Sequence, residues 1–352
     1  MDVTTTLALV AIGGFAVSAA LDGLTRAPTP QPSLRPSKSK APPKEQRPPS
    51  NWEAKCHPLE RQVSESIHKY FLSGWKFRSG EVRAKFPGQG LATWHCYAFP
   101  EAKDDRIEAG ARLSVILFLV DDELEYMSLK EGSDLIERII AVVKGTREPD
   151  KSVPAEWMMK EVWDNLASID SDLTDQMKEP AFVFWRSQVA AERLAPKTLK
   201  TYLRYREDDI ASDLLCAIQR FSSAQHLPPK TLPLLRPLHK NYSNCITVVN
   251  DICSYDKEAR ASAASSEQGS ALCSAVQVLS DETCLPAECA KRILWAMCRE
   301  WERNHERMAE ELARVSGCEG VVMEYLNGLK LQISGTEAWS LTSLRYNNLA
   351  AA

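Results

Sequence analysis

Asn250, Ser254 and Glu258 recur at i, i+4 and i+8 within the stretch Asn250-Asp251-Ile252-Cys253-Ser254-Tyr255-Asp256-Lys257-Glu258. The stretch closes a predicted helix that begins near Leu238. On a helix this spacing drifts by only about 40° per step, so the three side chains line one face. An amide oxygen, a hydroxyl and a carboxylate then converge as hard oxygen donors. That set suits Mg²⁺ better than Zn²⁺ or copper. Lys257, beside Glu258, is placed to reach an anion held by such a metal.

A second oxygen cluster lies far upstream, in Asp121-Asp122-Glu123-Leu124-Glu125. It follows directly on the apolar run Leu113-Ser114-Val115-Ile116-Leu117-Phe118-Leu119-Val120, so it ends a helix that must be largely buried. Asp121 and Glu125 are i, i+4 neighbours. Carboxylates at the end of a buried helix are costly unless paired or metal-bound. Two oxygen clusters on two helices facing one cavity can hold several Mg²⁺ ions around a diphosphate.

The rest of the chain supplies helices to carry these clusters. Apolar spacing of three and four predicts helices over Leu59–Phe71, 104–127, 132–145, 155–169, 174–191, 196–222, 235–259, 269–280, 286–315 and 319–333. Leu294, Met297, Trp301, His305, Met308 and Leu312 form one such stripe and read as core packing. Strand-like alternation is scarce, no GxGxxG occurs, and breakers fall at Pro87-Gly88, Pro228-Pro229 and Gly317. The fold class is therefore all-α. A hydrophobic content of 44% over 352 residues is enough for one large helical domain. The net charge of −4 gives no nucleic-acid footprint. Ten cysteines without CxxC or regular spacing read as reduced thiols, which places the chain in the cytoplasm. The six histidines show no ligand spacing.

DDxxE followed by NDxxSxxxE resembles the paired metal motifs of class I terpene synthases. Further stretches resemble the fungal sesquiterpene cyclases of the aristolochene synthase type. They are Trp75-Lys76-Phe77, Asp104-Asp105-Arg106-Ile107, Glu131-Gly132-Ser133, Asp150-Lys151-Ser152-Val153-Pro154, Cys298-Arg299-Glu300-Trp301-Glu302 and Leu344-Arg345-Tyr346. The resemblance spans roughly residues 51–347. It implies a single-domain helical bundle with a central active-site cavity, and a Mg²⁺-dependent cyclase that ionises farnesyl diphosphate and releases inorganic diphosphate. It further implies a germacrene- or aristolochene-type product. Three Mg²⁺ are implied, for which Mn²⁺ can substitute. Asp121, with Glu125, would hold two of them, and Asn250, Ser254 and Glu258 the third. Arg206, Lys257, Arg345 and Tyr346 would bind diphosphate; Phe118, Phe184 and Trp339 would line the cavity and stabilise the cation. A homodimer is compatible with the family. Related enzymes often have Tyr-Phe-Pro where this chain has Ala98-Phe99-Pro100, which leaves the cavity wall there open to question.

Competing readings are weaker. Asp104-Asp105-Arg106-Ile107-Glu108 also spells DDxxE, but follows a polar loop and reads as a helix N-terminus. Glu207-Asp208-Asp209 reads as a solvated face. A chain-elongating prenyl synthase would need a second DDxxD, and a class II cyclase needs DxDD, which Asp170-Ser171-Asp172-Leu173 fails. A binding or scaffold protein that kept the fold and lost turnover is the rival from another class. Residues 259–270, rich in Ala and Ser, are expected to be a loop that is either inert or orders on ligand binding. Residues 51–352 are taken as the catalytic domain. Residues 27–50, with eight prolines, read as a disordered tether. Residues 1–26 include an apolar run, Thr4 to Leu21, without a basic flank. An anchor, a surface-lying helix and a start-site artefact all stay open for it, and membrane association with them.

Overall fold

A computed structural model describes residues 47–347, apart from Pro196, Ser316 and Gly317. The apolar segment 1–26, most of the Pro-rich segment and the breaker at Gly317 lie outside the described residues. Among those described, every regular element is helical. The chain runs through α1 (Glu60–Gly74), α2 (Gly80–Lys85), α3 (Leu91–Ala98), α4 (Ile107–Leu124), α5 (Leu129–Val143), α6 (Pro154–Ile169) and α7 (Ser171–Gln188). It continues through α8 (Leu199–Asp209), α9 (Ser212–Ser222), α10 (Leu232–Ala264), α11 (Ala275–Thr283), α12 (Ala287–Leu312), α13 (Val321–Thr342) and the short α14 (Leu344–Asn347).

α4 is the apolar helix expected from the sequence, and most of its residues are buried. It packs against α1, α3, α6 and α9. α10 is the second organiser, in contact with α8, α9, α11, α12 and α13. It starts at Leu232, earlier than the predicted 235, despite Pro233 and Pro237. Pro233 sits in the first turn, where the N–H it lacks would have no intrahelical partner, whereas Pro237 lies inside the helix. α5 begins at a capping box in which Ser128 and Glu131 satisfy each other's backbone N–H groups.

The predicted single helix over 196–222 is two helices. Ala211 breaks it in the left-handed region, at φ 61° and ψ 31°. An alanine there costs on the order of 1–2 kcal/mol and carries no sequence warning. The predicted loop over 259–270 is also shorter than expected. α10 runs on to Ala264, and the segment after it docks on the end of α4. Gly269 N–H donates to Met127 O at 3.1 Å, and Gln268 accepts from Leu129 N–H at 3.2 Å. A β-carbon on Gly269 would stand 1.9 Å from Leu124 O, so only glycine permits this approach. α2, α3 and α14 were not predicted as helices.

The boundary set at Asn51 is also too late. Pro48 O accepts from Arg299 Nε at 2.9 Å, and Ser50 donates to Glu302 at 2.9 Å. Arg47 pairs with Glu337. Trp52 is buried and donates from its indole to Glu306 at 2.7 Å. The stripe on α12 is partly as expected: Leu294 and His305 are buried, while the other four members are half-buried.

Two stability predictions follow from this packing. α13 crosses the end of α3 so closely that a β-carbon on Gly335 would lie 1.9 Å from Tyr97 O. Backbone must move to admit it, so Gly335→Ala should cost about 3 kcal/mol or more in urea unfolding. Deleting residues 1–46 should leave the unfolding free energy within about 0.5 kcal/mol of that of the full chain. Deleting 1–52, which also removes Arg47 and Trp52, should lower it by at least about 2 kcal/mol.

Candidate active site

Glu125 sits at the C-cap of α4, and Asp121 and Asp122 lie in its last turn. Their carboxylate oxygens approach within 4.8 Å of one another. Like charges, burial and the negative end of the helix dipole all oppose ionisation here. Asp121 shows the effect: burial first, then Glu125 and Asp122, push its pKa up to about 6. Gln188 donates to Asp121 Oδ1 at 2.6 Å. Asp122 goes the other way. Burial opposes its charge too, but Arg345 and Lys257 outweigh it and hold the carboxyl below its usual value. Arg345 grips Asp122 through both Nη atoms, at 3.0 and 2.6 Å. Lys257 donates to Glu125 at 3.0 Å and stands 3.6 Å from Asp122.

α10 supplies the second donor set. Asn250 and Glu258 line the same cavity as Asp121 and Glu125. Ser254, between them, is 1% exposed, and its Oγ has no hydrogen-bond partner. Asn250 uses its NH₂ on the Tyr346 hydroxyl at 3.2 Å, which fixes the amide and turns its oxygen to Arg206 Nη2, 3.4 Å away. An orphaned hydroxyl flanked one turn each way by an amide oxygen and a carboxylate is a donor set that a hard divalent cation completes. The Asp121, Asp122 and Glu125 cluster is chemically suited to such cations as well.

Arg206 is buried between two acids, Asp209 and, at 3.2 Å, Asp251. Asp251 is itself held by the Tyr202 hydroxyl at 2.5 Å and by Ala275 N–H at 2.8 Å. Asp209 is therefore no solvated charge; it lies 3% exposed and braces the arginine, which corrects the reading of the 207–209 run. Arg193 joins the same acid at 3.4 Å. Arg193, Arg206 and Arg345 each keep a buried Nε–H without a partner, and all three line the cavity. Three guanidinium groups on the wall of one cavity suit it to an anion.

Below this polar end the wall is apolar. Phe118, Phe184 and Trp339 all line it, with Trp94, Leu117, Leu215 and Ile246. Trp94 meets Phe118 edge-on at 5.2 Å, and the Arg345 guanidinium sits 5.2 Å over the Phe118 ring. Trp339 is anchored by its indole N–H to Gly90 O at 2.8 Å.

Eleven of the twelve residues singled out from the sequence line this one cavity, and Ser254 lies buried between two of them. Asp104, the alternative acid, has an 83% exposed side chain in the turn before α4. Ala98 is fully buried but does not line the cavity; Trp94, one turn earlier on α3, occupies the wall instead. The sequence reading missed Asp122, Gln188, Arg193 and Trp94. Asp122 stood in plain view within the acidic run, whereas the others have no motif around them.

Comparison with known proteins agrees with this geometry. A family model described as terpene synthase family 2, C-terminal metal binding, matches residues 112–304. The chain is 42% identical over 294 residues to a (+)-aristolochene synthase of Penicillium expansum, a match that covers 84% of this chain and 89% of that protein. It is 41% identical over 300 residues to an aristolochene synthase of Aspergillus terreus, covering 85% and 94% respectively. The crystal structure of aristolochene synthase from Penicillium roqueforti superposes with a TM-score of 0.75 at 38% identity, covering 84% of this chain and 99% of that one. With its all-helical fold and its two oxygen-donor sets facing one cavity, the chain belongs to the class I terpene synthase family.

Proposed function

We propose that this protein is a Mg²⁺-dependent sesquiterpene cyclase that ionises farnesyl diphosphate and closes the cation to a germacrene- or aristolochene-type hydrocarbon. The observation that carries the reading is one cavity with two hard-oxygen donor sets and spare cationic donors at one end and aromatic walls at the other.

Asp121 and Glu125 on α4, with Asp122 beside them, would hold part of the metal set; Asn250 Oδ1, Ser254 Oγ and Glu258 would hold the rest. Three Mg²⁺ are expected, with Mn²⁺ able to replace them. Bound Mg²⁺ would neutralise charge on the diphosphate oxygens as the leaving group departs. Arg206 and Arg345 offer their Nε–H donors to the same oxygens, Lys257 a point charge, and Tyr346 a hydroxyl. The allylic C–O bond breaks with its electron pair leaving on diphosphate. Phe118, Phe184 and Trp339 then face the C15 cation, attract it through their ring quadrupoles and exclude the water that would quench it. No helix among the described residues is long and apolar enough to cross a membrane. A cytoplasmic setting is proposed from the cysteine usage of the sequence, ten residues without CxxC or regular spacing.

Incubation with farnesyl diphosphate, followed by diphosphate assay and gas chromatography, tests the proposal directly. EDTA should abolish turnover and Mg²⁺ or Mn²⁺ restore it. Asp121→Asn and Glu258→Gln should each lower kcat at least about 100-fold, because each weakens charge stabilisation made mainly in the transition state. Asp104→Asn should stay within about threefold of wild type. A larger loss for Asp104→Asn than for Asp121→Asn would show the metal end to be misassigned. Arg193→Met should slow diphosphate release by about tenfold or more through loss of a charge-assisted donor.

A further inference from the structure

Two turns below Asp121, on the same face of α4, the apolar part of the cavity carries a hydroxyl. Ser114 lines the cavity, and seven residues at 1.5 Å rise put it about 10 Å along the helix axis from Asp121. Its Oγ lies 2.8 Å from His95 Nδ1. His95 comes from α3, is fully buried, and its Nε2 has no hydrogen-bond partner. The ring is fitted into place. Phe99 stacks against it at 4.5 Å between centroids, and it leans over Gly110, where a β-carbon would stand 2.7 Å from Nε2. Ser222 Oγ, also unpartnered, borders the same glycine, 3.2 Å from that β-carbon position. A buried imidazole with one nitrogen on a cavity hydroxyl and the other unused is a poor structural investment, since an apolar side chain would fill the volume without stranding a polar atom.

We propose that Ser114, backed by His95, is the group that accepts the proton when the cyclised cation is converted to an alkene. The inference rests on the cyclase reading above. In this step the C–H bond next to the cationic carbon breaks and its electron pair becomes the new π bond. The proton passes to Ser114 Oγ as the serine's own proton moves to His95 Nδ1, leaving a neutral hydrocarbon, a neutral serine and an imidazolium. His95 then returns its proton through Ser114 to water once the product leaves. Burial, and then His57, push the imidazole pKa down to about 3, so it is neutral at pH 7, with its lone pair available, and only weakly basic. A weak base suffices, because a carbocation is a far stronger acid than any imidazolium. Thr336 also presents a buried hydroxyl to the cavity, but it has no partner to take a proton onward. Ser114 touches substrate and is the catalytic residue of the pair; His95 acts through it and is a positioning residue.

Threonine and valine have the same shape and differ in the hydroxyl. Ser114→Thr, Ser114→Val, Ser114→Ala and His95→Gln are compared with wild type on farnesyl diphosphate and Mg²⁺, with hydrocarbon ratios normalised to diphosphate released. Ser114→Thr should keep the wild-type ratio within about twofold. Ser114→Val and His95→Gln should shift it in the same direction by at least about fivefold, roughly a 1 kcal/mol change between competing exits. Ser114→Ala, which removes one oxygen, is read in the same way should valine not fold. A ratio unchanged in Ser114→Ala, or shifted equally by threonine and valine, overturns the role of the pair while the cyclase reading stands. Absence of diphosphate release from wild type overturns both.

Discussion

The structure turns on carboxylates placed where a protein least tolerates them. α4 is buried over nearly its whole length and ends in Asp121, Asp122 and Glu125, at the negative pole of its own dipole. Two features of the fold make this tenable. α14 delivers Arg345 as a two-pronged clamp on Asp122, and α10 delivers Lys257 between Asp122 and Glu125. Asp121 takes its hydrogen bond from the neutral amide of Gln188, and burial, then Glu125 and Asp122, raise its pKa against the opposing pull of Arg193 and Lys257. A residual demand for positive charge is thus built into the end of the helix, and a divalent cation meets it.

The same logic explains the positions of the surrounding elements. Arg206 has to stay charged inside the bundle, and it does so because Asp209 and Asp251 stand on either side of it. Asp251 is in turn fixed by Tyr202 and by the first N–H of α11. The helix break at Ala211 leaves Asp209, Ile210 and Ala211 together on the cavity wall, where a continuous helix would turn at least one of them away. Gly269 and Gly335 allow two further backbones to close in, on α4 and α3 respectively. Ala211 places backbone strain on the cavity wall itself, whereas the other two non-glycine residues with positive φ among those described, Ala224 and Cys284, are not part of that wall.

Dependence on tertiary partners decides what could be read from the sequence. Apolar periodicity located ten helical segments, and the i, i+4, i+8 spacing put Asn250, Ser254 and Glu258 on one face. Both signals are local and survive without knowledge of neighbours. The motif resemblance supplied Arg206, Arg345, Tyr346 and the aromatic wall, none of which has a local signature. Features that depend on tertiary partners were missed. Ala211 carries no glycine or proline to announce a break. Arg193 looks like any arginine in a polar connection until Asp209 is seen beside it. Asp209 itself reads as surface charge in an acidic run, and only the fold buries it. Residues 47–50 look like more of a Pro-rich tether, yet their backbone and side chains are gripped by Arg299, Glu302 and Glu337.

Separating charge from hydrocarbon along one helix has a chemical consequence. α4 presents Asp121 at its polar end, Phe118 one turn lower and Ser114 one turn lower again, so on the proposed reading a single rigid element would set the depth of leaving group, cation and proton acceptor. Ionisation depends on large electrostatic terms at the top. The choice among cyclised products depends on differences near 1.4 kcal/mol per tenfold in ratio, which a single hydroxyl or ring can supply. On the proposed reading, small changes at the apolar end shift product ratios more readily than they slow diphosphate release. Trp94 on the wall and the proposed Ser114–His95 pair both lie at that end. The two ends are joined by α4 and by Arg345, which clamps Asp122 while its guanidinium lies 5.2 Å over the Phe118 ring.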